Sequence, residues 1–416
     1  MHPHLAAAGP EELPGTLLLL AAVLVTAKLG GLLAGRLRVP AVLGELGAGI
    51  ALGLAGRAEG LGLPDVAGDP YLAFLAEIGV ILLLFEVGVE NTVSRLLSVG
   101  LPALRVAVLG VAAPFLLGWG AAALLLPASP GILHVFVGAT LCATSVGITA
   151  RVLKDSGRSD SPEGRTILGA AVIDDVLGLV VLAVVVRLAS GEPGDAAGTA
   201  LLATGEAALF LGVGVGAGVL LTKPLYRAAA GLRTSGMLLA LSLALCFAFS
   251  WGAHAAGLAP IVGAFAAGLV LEPSHSELFR ERGEPHSLEH LLHPLSSLLV
   301  PVFFVHVGAR VDVREFADPA VLGLGAVLAV AAVLGKQACA LGVARGTDGT
   351  TVGLGMVPRG EVGLVFVAVG SGLSVEGAPL LDARTGAAVV FMVAATTLLG
   401  PLLLGARLRK VPGPRP

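Results

Sequence analysis

Charged residues are scarce in this chain. Asp, Glu, Lys and Arg make up only 13% of its 416 residues, and 56% are hydrophobic. An ordinary soluble protein has roughly 25% charged and roughly 45–50% apolar residues. Apolar stretches long enough to cross a hydrocarbon core of about 30 Å recur from one end of the chain to the other. The scarcity of charge therefore excludes a soluble globular fold and indicates a polytopic membrane protein.

Cysteines and basic clusters are also sparse. Cys142, Cys246 and Cys339 lie far apart in apolar stretches, so the sequence indicates neither a disulfide framework nor a metal-binding cluster. No basic run with interleaved aromatic residues suggests a nucleic-acid partner. A cleaved signal peptide has a basic segment before its apolar run, and this sequence has none, so we do not expect a cleaved signal peptide. We assign no cofactor and no catalytic residue, and we do not expect an enzyme.

Apolar runs between charged or Pro- and Gly-marked breaks predict an all-α fold of thirteen transmembrane spans. They lie near 14–35, 40–56, 71–89, 101–126, 131–153, 165–188, 199–221, 234–254, 257–271, 291–309, 319–343, 350–372 and 384–405. Lys and Arg concentrate in the loops after the odd-numbered spans, and the other side holds only Arg57, Arg187, Arg310, Arg314 and Arg384. Because cytoplasmic loops retain positive charge, this bias predicts an external N-terminus and a cytoplasmic C-terminus. Except for residues 272–290 the connections are short, and we expect no extramembrane domain.

The two halves of the sequence resemble each other at a nearly constant offset. The matching segments are Pro40–Gly44 with Pro260–Gly263, Val87–Gly88 with Val307–Gly308, and Ser145–Ile148 with Glu361–Leu364. Spans 2, 3 and 5 thus match spans 9, 10 and 12, a shift of seven spans. Because this number is odd, the second copy crosses the membrane in the opposite direction. This predicts two inverted six-helix repeats joined by a linker helix. Chance recurrence of short Gly-containing pairs in a chain with 59 glycines is the alternative.

Two adjacent carboxylates lie near the middle of span 6. Asp174 and Asp175 are flanked by about ten span residues on each side, and ionisable residues at that depth persist mainly where they line a water-filled path or have a partner. Consecutive helical positions diverge by about 100°, so one carboxylate can face an aqueous cavity and the other a partner within the bundle. A break that leaves both in an interfacial loop is the alternative, but the flanking run lacks Pro, Asn and Ser.

Further charges occur in spans 11 and 12. Lys336 lies centrally in span 11, where it is expected to pair with an acid or lose its proton, unless it snorkels to an interface. Pro358–Glu361 interrupts span 12, because Pro removes a backbone donor and Gly lowers helix propensity. Arg359 and Glu361 are predicted to neutralise the opened half-helix ends or each other, and a purely structural pair is the alternative. The repeat predicts a similar opening at 143–147 in span 5.

Lone acids and a His-rich loop leave their roles open. Glu45 and Glu86, in spans 2 and 3, can either line an entry path or make structural hydrogen bonds. The 272–293 segment contains four histidines, which could indicate a metal site or a pH sensor. A solvated loop or an interfacial helix is the preferred interpretation. The four histidines are His275, His286, His290 and His293.

One set of segments carries a resemblance to a known family: Pro40–Leu46, Gly79–Phe85, Ala143–Ile148, Ile173–Asp175, Lys336 and Pro358–Leu364. Together they resemble the monovalent cation/proton antiporter superfamily, in particular its bacterial sodium/proton antiporter branch, which is related to the Kef-type potassium exporters. Kef-type exporters typically have Gln-Asp where this chain has Asp174-Asp175, and they carry a soluble nucleotide-binding domain. Sodium/proton exchange is therefore favoured over gated potassium efflux.

The resemblance implies a homodimer in a bacterial inner membrane, with a scaffold that holds a mobile core. The scaffold would comprise residues 1–100 and 234–318, the core residues 101–190 and 319–416, and the linker helix residues 191–233. Broken spans 5 and 12 would cross in the core near the ion site. Position by position, Asp175 would bind the cation and the proton, and Asp174 would pair with Lys336.

Exchange for pH homeostasis would follow from competition at one carboxylate. A carboxylate in a low-dielectric site favours neutralisation, either by a proton or by Na⁺ or Li⁺, and Thr144 and Ser145 are candidate oxygen ligands for the cation. If Lys336 also releases a proton, the cycle is electrogenic. The alternatives are a potassium/proton antiporter or a channel on the same fold. An intramembrane aspartyl protease is disfavoured, because its two carboxylates must face each other from different helices.

Overall fold

A computed structural model describes residues 13–37, 39–57, 66–90, 100–189, 196–232, 234, 236–271, 277–279, 287–311, 313–375 and 377–410. Helices dominate: α1 Leu13–Arg36, α2 Ala41–Arg57, α3 Pro70–Glu90, α4 Leu101–Leu125, α5 Gly131–Thr140, α6 Val146–Asp155, α7 Pro162–Ala189, α8 Ala196–Gly231, α9 Met237–Ala255, α10 Pro260–Leu269, α11 Leu288–Arg310, α12 Pro319–Gln337, α13 Gly349–Gly355, α14 Glu361–Gly372 and α15 Ala383–Leu408. Short 3-10 helices cover Val313–Ala317 and Ala338–Leu341. A two-stranded antiparallel hairpin pairs Ser374–Val375 with Ala378–Pro379.

Many of these helices are suited to a bilayer. Within the described residues, nine are long and apolar enough to cross a membrane: those in α1, α3, α4, α7, α8, α9, α11 and α15, and the continuous Pro319–Leu341 segment. Four apolar helices are shorter, namely Ala41–Gly56, Gly131–Thr140, Pro260–Leu269 and Val362–Gly372. The chain is thus a multi-pass, mostly helical membrane protein. The count of thirteen spans and the inverted repeat remain predictions.

Helix α8 runs past the end expected near residue 221. The apolar run predicted a span near 199–221, yet the helix continues to Gly231 with Pro224 inside it. Tyr226 explains the continuation: it is fully buried, and its hydroxyl is 2.8 Å from the Ser242 hydroxyl of α9. Its ring also packs edge-on against Phe279, with ring centroids 6.1 Å apart. Side-chain packing therefore outweighs the cost of a proline inside the helix.

The position of Lys336 also differs from its central placement in the predicted span. The α-helical part of that span ends at Gln337, and a 3-10 helix, Ala338–Leu341, tightens the chain beyond it. Lys336 therefore lies in the last turn of α12. Its side chain is nevertheless fully buried, so it does not snorkel to an interface.

Packing divides the chain into two compact units. The first comprises residues 1–83 and 293–315, and the second residues 84–292 and 316–416. This division reflects contacts alone, and the scaffold, linker and core domains remain predictions.

In the first unit, α1 and α2 cross closely. A Cβ at Gly30 would collide with the Gly44 carbonyl oxygen, and a Cβ at Gly44 with that of Gly30, so only glycine allows this approach. Lys28 of α1 donates to the Ser297 carbonyl at 2.6 Å. Glu45 of α2 is half-buried and interacts electrostatically with Lys28.

In the second unit, α7 lies in an apolar core. Ile167, Ala170 and Ala171 of α7 pack in one buried cluster with residues of α4, α6, α13 and α15. This cluster fixes α7, which carries Asp174 and Asp175, against the short helix α13.

Candidate functional site

Two helical segments of the second unit are interrupted, and the interruptions are hydrogen-bonded to each other. Helix α5 ends at Thr140 and α6 begins at Val146, while α13 ends at Gly355 and α14 begins at Glu361. The Ser145 N–H donates to the Pro358 carbonyl at 2.8 Å. The interruption expected at Pro358–Glu361 is therefore present, and so is the one that the repeat alone suggested between α5 and α6.

Hydroxyl groups satisfy the open carbonyls at the end of α13. The Thr144 hydroxyl donates to the Met356 carbonyl at 3.1 Å, and the Thr149 hydroxyl donates to the Gly355 carbonyl at 2.7 Å. Both threonines are buried, where an unpaired carbonyl would be costly. The sequence analysis did not identify Thr149. A hydroxyl one turn beyond a helix interruption could have indicated that it donates to an open carbonyl.

Arg359 joins the two interruptions and is fully buried. Its guanidinium donates to the Val357 carbonyl at 2.9 Å and to the Leu141 carbonyl just beyond α5. The Thr397 hydroxyl of α15 donates to the Arg359 carbonyl. A cation is favourable at the C-terminal ends of helices, where carbonyls carry partial negative charge. The Arg359 Nε has no hydrogen-bond partner within the described part of the chain.

Lys336 meets Asp174 at the same place. Its Nζ is 3.2 Å and 3.5 Å from the two Asp174 carboxylate oxygens, and 2.6 Å from the Cys142 carbonyl oxygen. Lys336 and Asp174 are both fully buried, so each depends on the other to offset the loss of hydration. The ammonium therefore pairs with the acid that the resemblance implied. It also caps the open end of α5, which the sequence did not reveal.

Asp175 follows Asp174 on α7 and is 7% exposed, whereas Asp174 is fully buried. The two side chains diverge by about 100° around the helix, so Asp175 has different neighbours. Gly178 lies one turn further along α7 and is buried, yet a Cβ there would meet no described atom within 4 Å. Gly178 is the fourth residue after Asp174 and the third after Asp175, so this space lies on the face of α7 that both carboxylates border.

The remaining candidates are placed less fully. Ser145 is buried in the first interruption, and Glu361 begins α14, but its side chain lies outside the described part of the structure. Glu86 is half-buried on α3. His290 and His293 are exposed on α11, and His275 and His286 lie outside the described residues. Within those residues, no three or more His, Cys, Asp or Glu side chains form a group that could hold a metal ion.

An ion-pair network joins the first residues of α7 and α13 to the last turn of α15. The Asp348 carboxylate accepts two hydrogen bonds from Arg407, at 3.0 and 3.1 Å, and one from the Thr351 hydroxyl at 2.5 Å. The Asp348 N–H donates to the Glu163 carboxylate at 3.0 Å. Burial disfavours the charged form of Asp348, but the hydrogen bonds from Arg407, Thr351 and the Thr350 N–H outweigh it and hold the pKa of this carboxyl below its usual range.

Replacing Asp348 with Asn is therefore expected to lower thermal stability at neutral pH. Asn can still cap α13, so the change removes mainly the charge that pairs with Arg407. A lowered native pKa adds stability above the unfolded pKa of about 3.9, and this stability is lost as the pH falls through the native value. The wild-type advantage in thermal melts should thus be present at pH 7 and disappear in acid.

Asp382→Asn provides the matched control, since Asp382 caps α15 through the Thr385 N–H at 2.8 Å. A difference in melting temperature between wild type and Asp348→Asn that is the same in strong acid as at pH 7 would contradict the role of the ion pair.

Fold and site together define a multi-pass membrane protein with a buried ion pair at two interrupted helices, an arrangement found in secondary ion transporters. The family model "Sodium/hydrogen exchanger, transmembrane" matches residues 21–410. The chain belongs to this sodium/hydrogen exchanger family, whose members are ion antiporters and not enzymes.

Individual relatives match over most of their length. The high-affinity Na(+)/H(+) antiporter NhaS3 of Synechocystis sp. is 37% identical over 95% of this chain and 90% of its own. The Na(+)/H(+)-K(+) antiporter GerN of Bacillus cereus is 32% identical over 92% of this chain and 94% of its own. The solved structure of the sodium proton antiporter MjNhaP1 from Methanocaldococcus jannaschii covers 95% of this chain and 97% of its own, with a TM-score of 0.71 at 18% identity. That likeness shows the shared fold.

Proposed function

We propose that this protein is a sodium/proton antiporter that exchanges Na⁺ or Li⁺ for H⁺ at Asp175 by alternating access. The observation that carries the proposal is the buried Asp174–Lys336 pair, 3.2 Å apart, beside Asp175 at the two interrupted helices. Ionisable groups at such depth are costly and mark ion or proton pathways. The names of NhaS3 and GerN, which both describe Na(+)/H(+) exchange, support the same function.

The two aspartates are suited to different tasks. Asp174 is engaged by Lys336 and fully buried, which supports a role as the partner of the ammonium. Asp175 is 7% exposed, whereas Asp174 is fully buried, which supports a role for Asp175 as the carboxylate that a hydrated ion reaches. Na⁺ prefers oxygen ligands, as other hard cations do, and carboxylate oxygens are the strongest that the site offers.

Thr144 is a suitable neutral ligand because its hydroxyl hydrogen is already donated to a carbonyl, which leaves the oxygen lone pairs available. A hydroxyl has one hydrogen and two lone pairs, and the Thr144 hydrogen points to the Met356 carbonyl. Its lone pairs then remain for a cation. The Thr144 hydroxyl also lies in hydrogen-bonding reach of Asp174, to which it can donate only by leaving Met356. Ser145, buried beside it, is the second candidate ligand.

Competition explains obligatory exchange. Burial disfavours an uncompensated carboxylate, so Asp175 is neutralised either by a proton or by a cation before the site moves through the low-dielectric barrier. Arg359 and Glu361 would keep the opened half-helix ends neutral during this movement. The protein would function as a homodimer in a bacterial inner membrane, with thirteen spans in two inverted repeats, the N-terminus outside and the C-terminus in the cytoplasm.

A potassium/proton antiporter is the second candidate, since one relative, GerN, is named for both Na(+)/H(+) and K(+). Cation-driven proton flux in proteoliposomes, compared across Na⁺, Li⁺ and K⁺, distinguishes the two. Flux driven by Na⁺ and Li⁺ supports the sodium antiporter, whereas flux driven by K⁺ alone supports the alternative. Absence of proton flux with all three cations would contradict antiport.

The apparent KM for Na⁺ is expected to rise as the pH falls, with the maximal rate less affected. If one proton competes with one cation for Asp175, the KM rises by up to about tenfold per pH unit where the protonated form dominates. Flux measured at a series of Na⁺ concentrations between about pH 6 and 8.5 covers the range in which a buried carboxylate exchanges protons. A KM that stays constant over this range would indicate separate sites for the proton and the cation.

A further inference from the structure

Lys336 lies against the backbone of α4, which is not part of the site described above. A Cβ at Gly110 would be 3.6 Å from the Lys336 Nζ and 3.8 Å from its Cδ, and only 2.9 Å from the Cys339 sulfur. Gly110 is buried, so the ammonium shares a dry environment with the main chain of this helix. The absence of a side chain at position 110 is what gives Lys336 room there.

The same stretch of α4 contains Pro114. Proline has no N–H, so the helical hydrogen bond from residue 114 to the Gly110 carbonyl cannot form. The residue of α12 that precedes Lys336 contacts the other end of this gap, because a Cβ at Gly335 would be 2.6–3.0 Å from Pro114 atoms. Residues 335 and 336 therefore span the α4 segment from Pro114 back to Gly110. A buried carbonyl without its helical donor favours another donor nearby.

We propose that the Gly110 carbonyl is a second acceptor for the Lys336 amine, used when a cation displaces the amine from Asp174. In the structure the amine donates to Asp174 and to the Cys142 carbonyl. After displacement the Cys142 contact can persist while Gly110 replaces Asp174. Pro114 is then a positioning residue: it acts through Lys336 by keeping the Gly110 carbonyl open. The inference rests on the proposed cation exchange and adds α4 to its machinery.

The proposal predicts a specific effect of Pro114→Ala, which restores an N–H that closes the Gly110 carbonyl. The cation-bound state loses an acceptor for the amine, and the empty state does not. The apparent KM for Na⁺ should rise by roughly fivefold, the size expected for one lost hydrogen bond, while the maximal rate is retained. A purely structural effect would lower the maximal rate or the yield and leave the KM unchanged. Flux assays in proteoliposomes measure both.

A backbone substitution at position 114 distinguishes the effect of restoring an N–H from the effect of removing the proline ring. Lactic acid introduced at position 114 has the side chain of alanine but an ester oxygen in place of the N–H, so it should retain the wild-type KM. Pro224→Ala in α8 is the matched control, because it makes the same change at an exposed proline within a helix. If Pro114→Ala does not insert, Pro114→Ser supplies the same N–H.

The outcomes are distinct. A wild-type KM in the Ala variant, or an equal rise in the Ala and lactic acid variants, would overturn the role of the Gly110 carbonyl and leave the antiporter function intact. Wild-type protein without cation-driven proton flux would overturn both proposals. A raised KM in the Ala variant alone, with Pro224→Ala like wild type, supports the second acceptor.

Discussion

Replacing Asp175 with Asn is expected to abolish cation/proton exchange while the protein still inserts into the membrane. Asn has the size of Asp but cannot carry a proton or neutralise a cation, and the buried Asp174–Lys336 pair next to it is left intact. Proton flux driven by Na⁺ in proteoliposomes should fall to the level of empty vesicles. Elution from size-exclusion chromatography should match that of wild type.

Asp160→Asn is the control for this variant, because it makes the same change at an exposed aspartate that precedes α7. It should exchange Na⁺ for H⁺ as wild type does. Exchange at the wild-type rate in Asp175→Asn would remove Asp175 from the mechanism and leave Asp174 as the only carboxylate of this pair to bind the ion.

Replacing Lys336 with Gln is expected to eliminate the current that accompanies exchange. When a cation occupies the site, the ammonium loses the Asp174 carboxylate that stabilises its charge, and in the proposed cycle it then releases its proton into the cavity. Two protons would then leave per sodium, one from Asp175 and one from Lys336. Gln keeps a hydrogen-bond donor for the Cys142 carbonyl but carries no proton. Exchange that survives should therefore be electroneutral.

Current on a solid-supported membrane, measured beside proton flux in the same preparation, tests this prediction. Lys28→Gln is a matched control, since Lys28 is a second lysine within an apolar helix and donates to the Ser297 carbonyl at 2.6 Å. It should keep the current. Flux without current in wild type, or unchanged current in Lys336→Gln, would make Lys336 a structural partner of Asp174.

The sequence alone predicted the parts of this site that depend on local chemistry. Pro358 and Gly360 disfavour a continuous helix wherever they stand, so the interruption before α14 could be expected. The interruption before α6 contains no proline, and only the internal repeat suggested it. Asp174, Asp175 and Lys336 stood out because charge is rare in apolar spans, but their pairing required a resemblance to a family.

Other features could not be read from the sequence, because they depend on distant backbone atoms. The acceptors for Lys336, Arg359, Thr144 and Thr149 include main-chain carbonyls, and every residue has a carbonyl. Which of them is open depends on where a helix ends in three dimensions. The extension of α8 past Pro224 had a similar cause, since the buried Tyr226–Ser242 contact joins two helices.

The bonds that close the interrupted helices also constrain how the protein is made. The hydrogen bonds Thr144–Met356, Thr149–Gly355 and Lys336–Cys142 join residues 212, 206 and 194 positions apart. During synthesis the end of α5 therefore leaves the ribosome long before Lys336 and Arg359 exist. Open carbonyls are not tolerated in lipid, so α5 and α6 need protection by water or by the insertion machinery until the last quarter of the chain arrives. Biogenesis of this transporter is completed by its final helices. Lys336 and Arg359 supply donors for the open carbonyls of Cys142 and Leu141. The carbonyls of Met356 and Gly355 supply acceptors for the Thr144 and Thr149 hydroxyls.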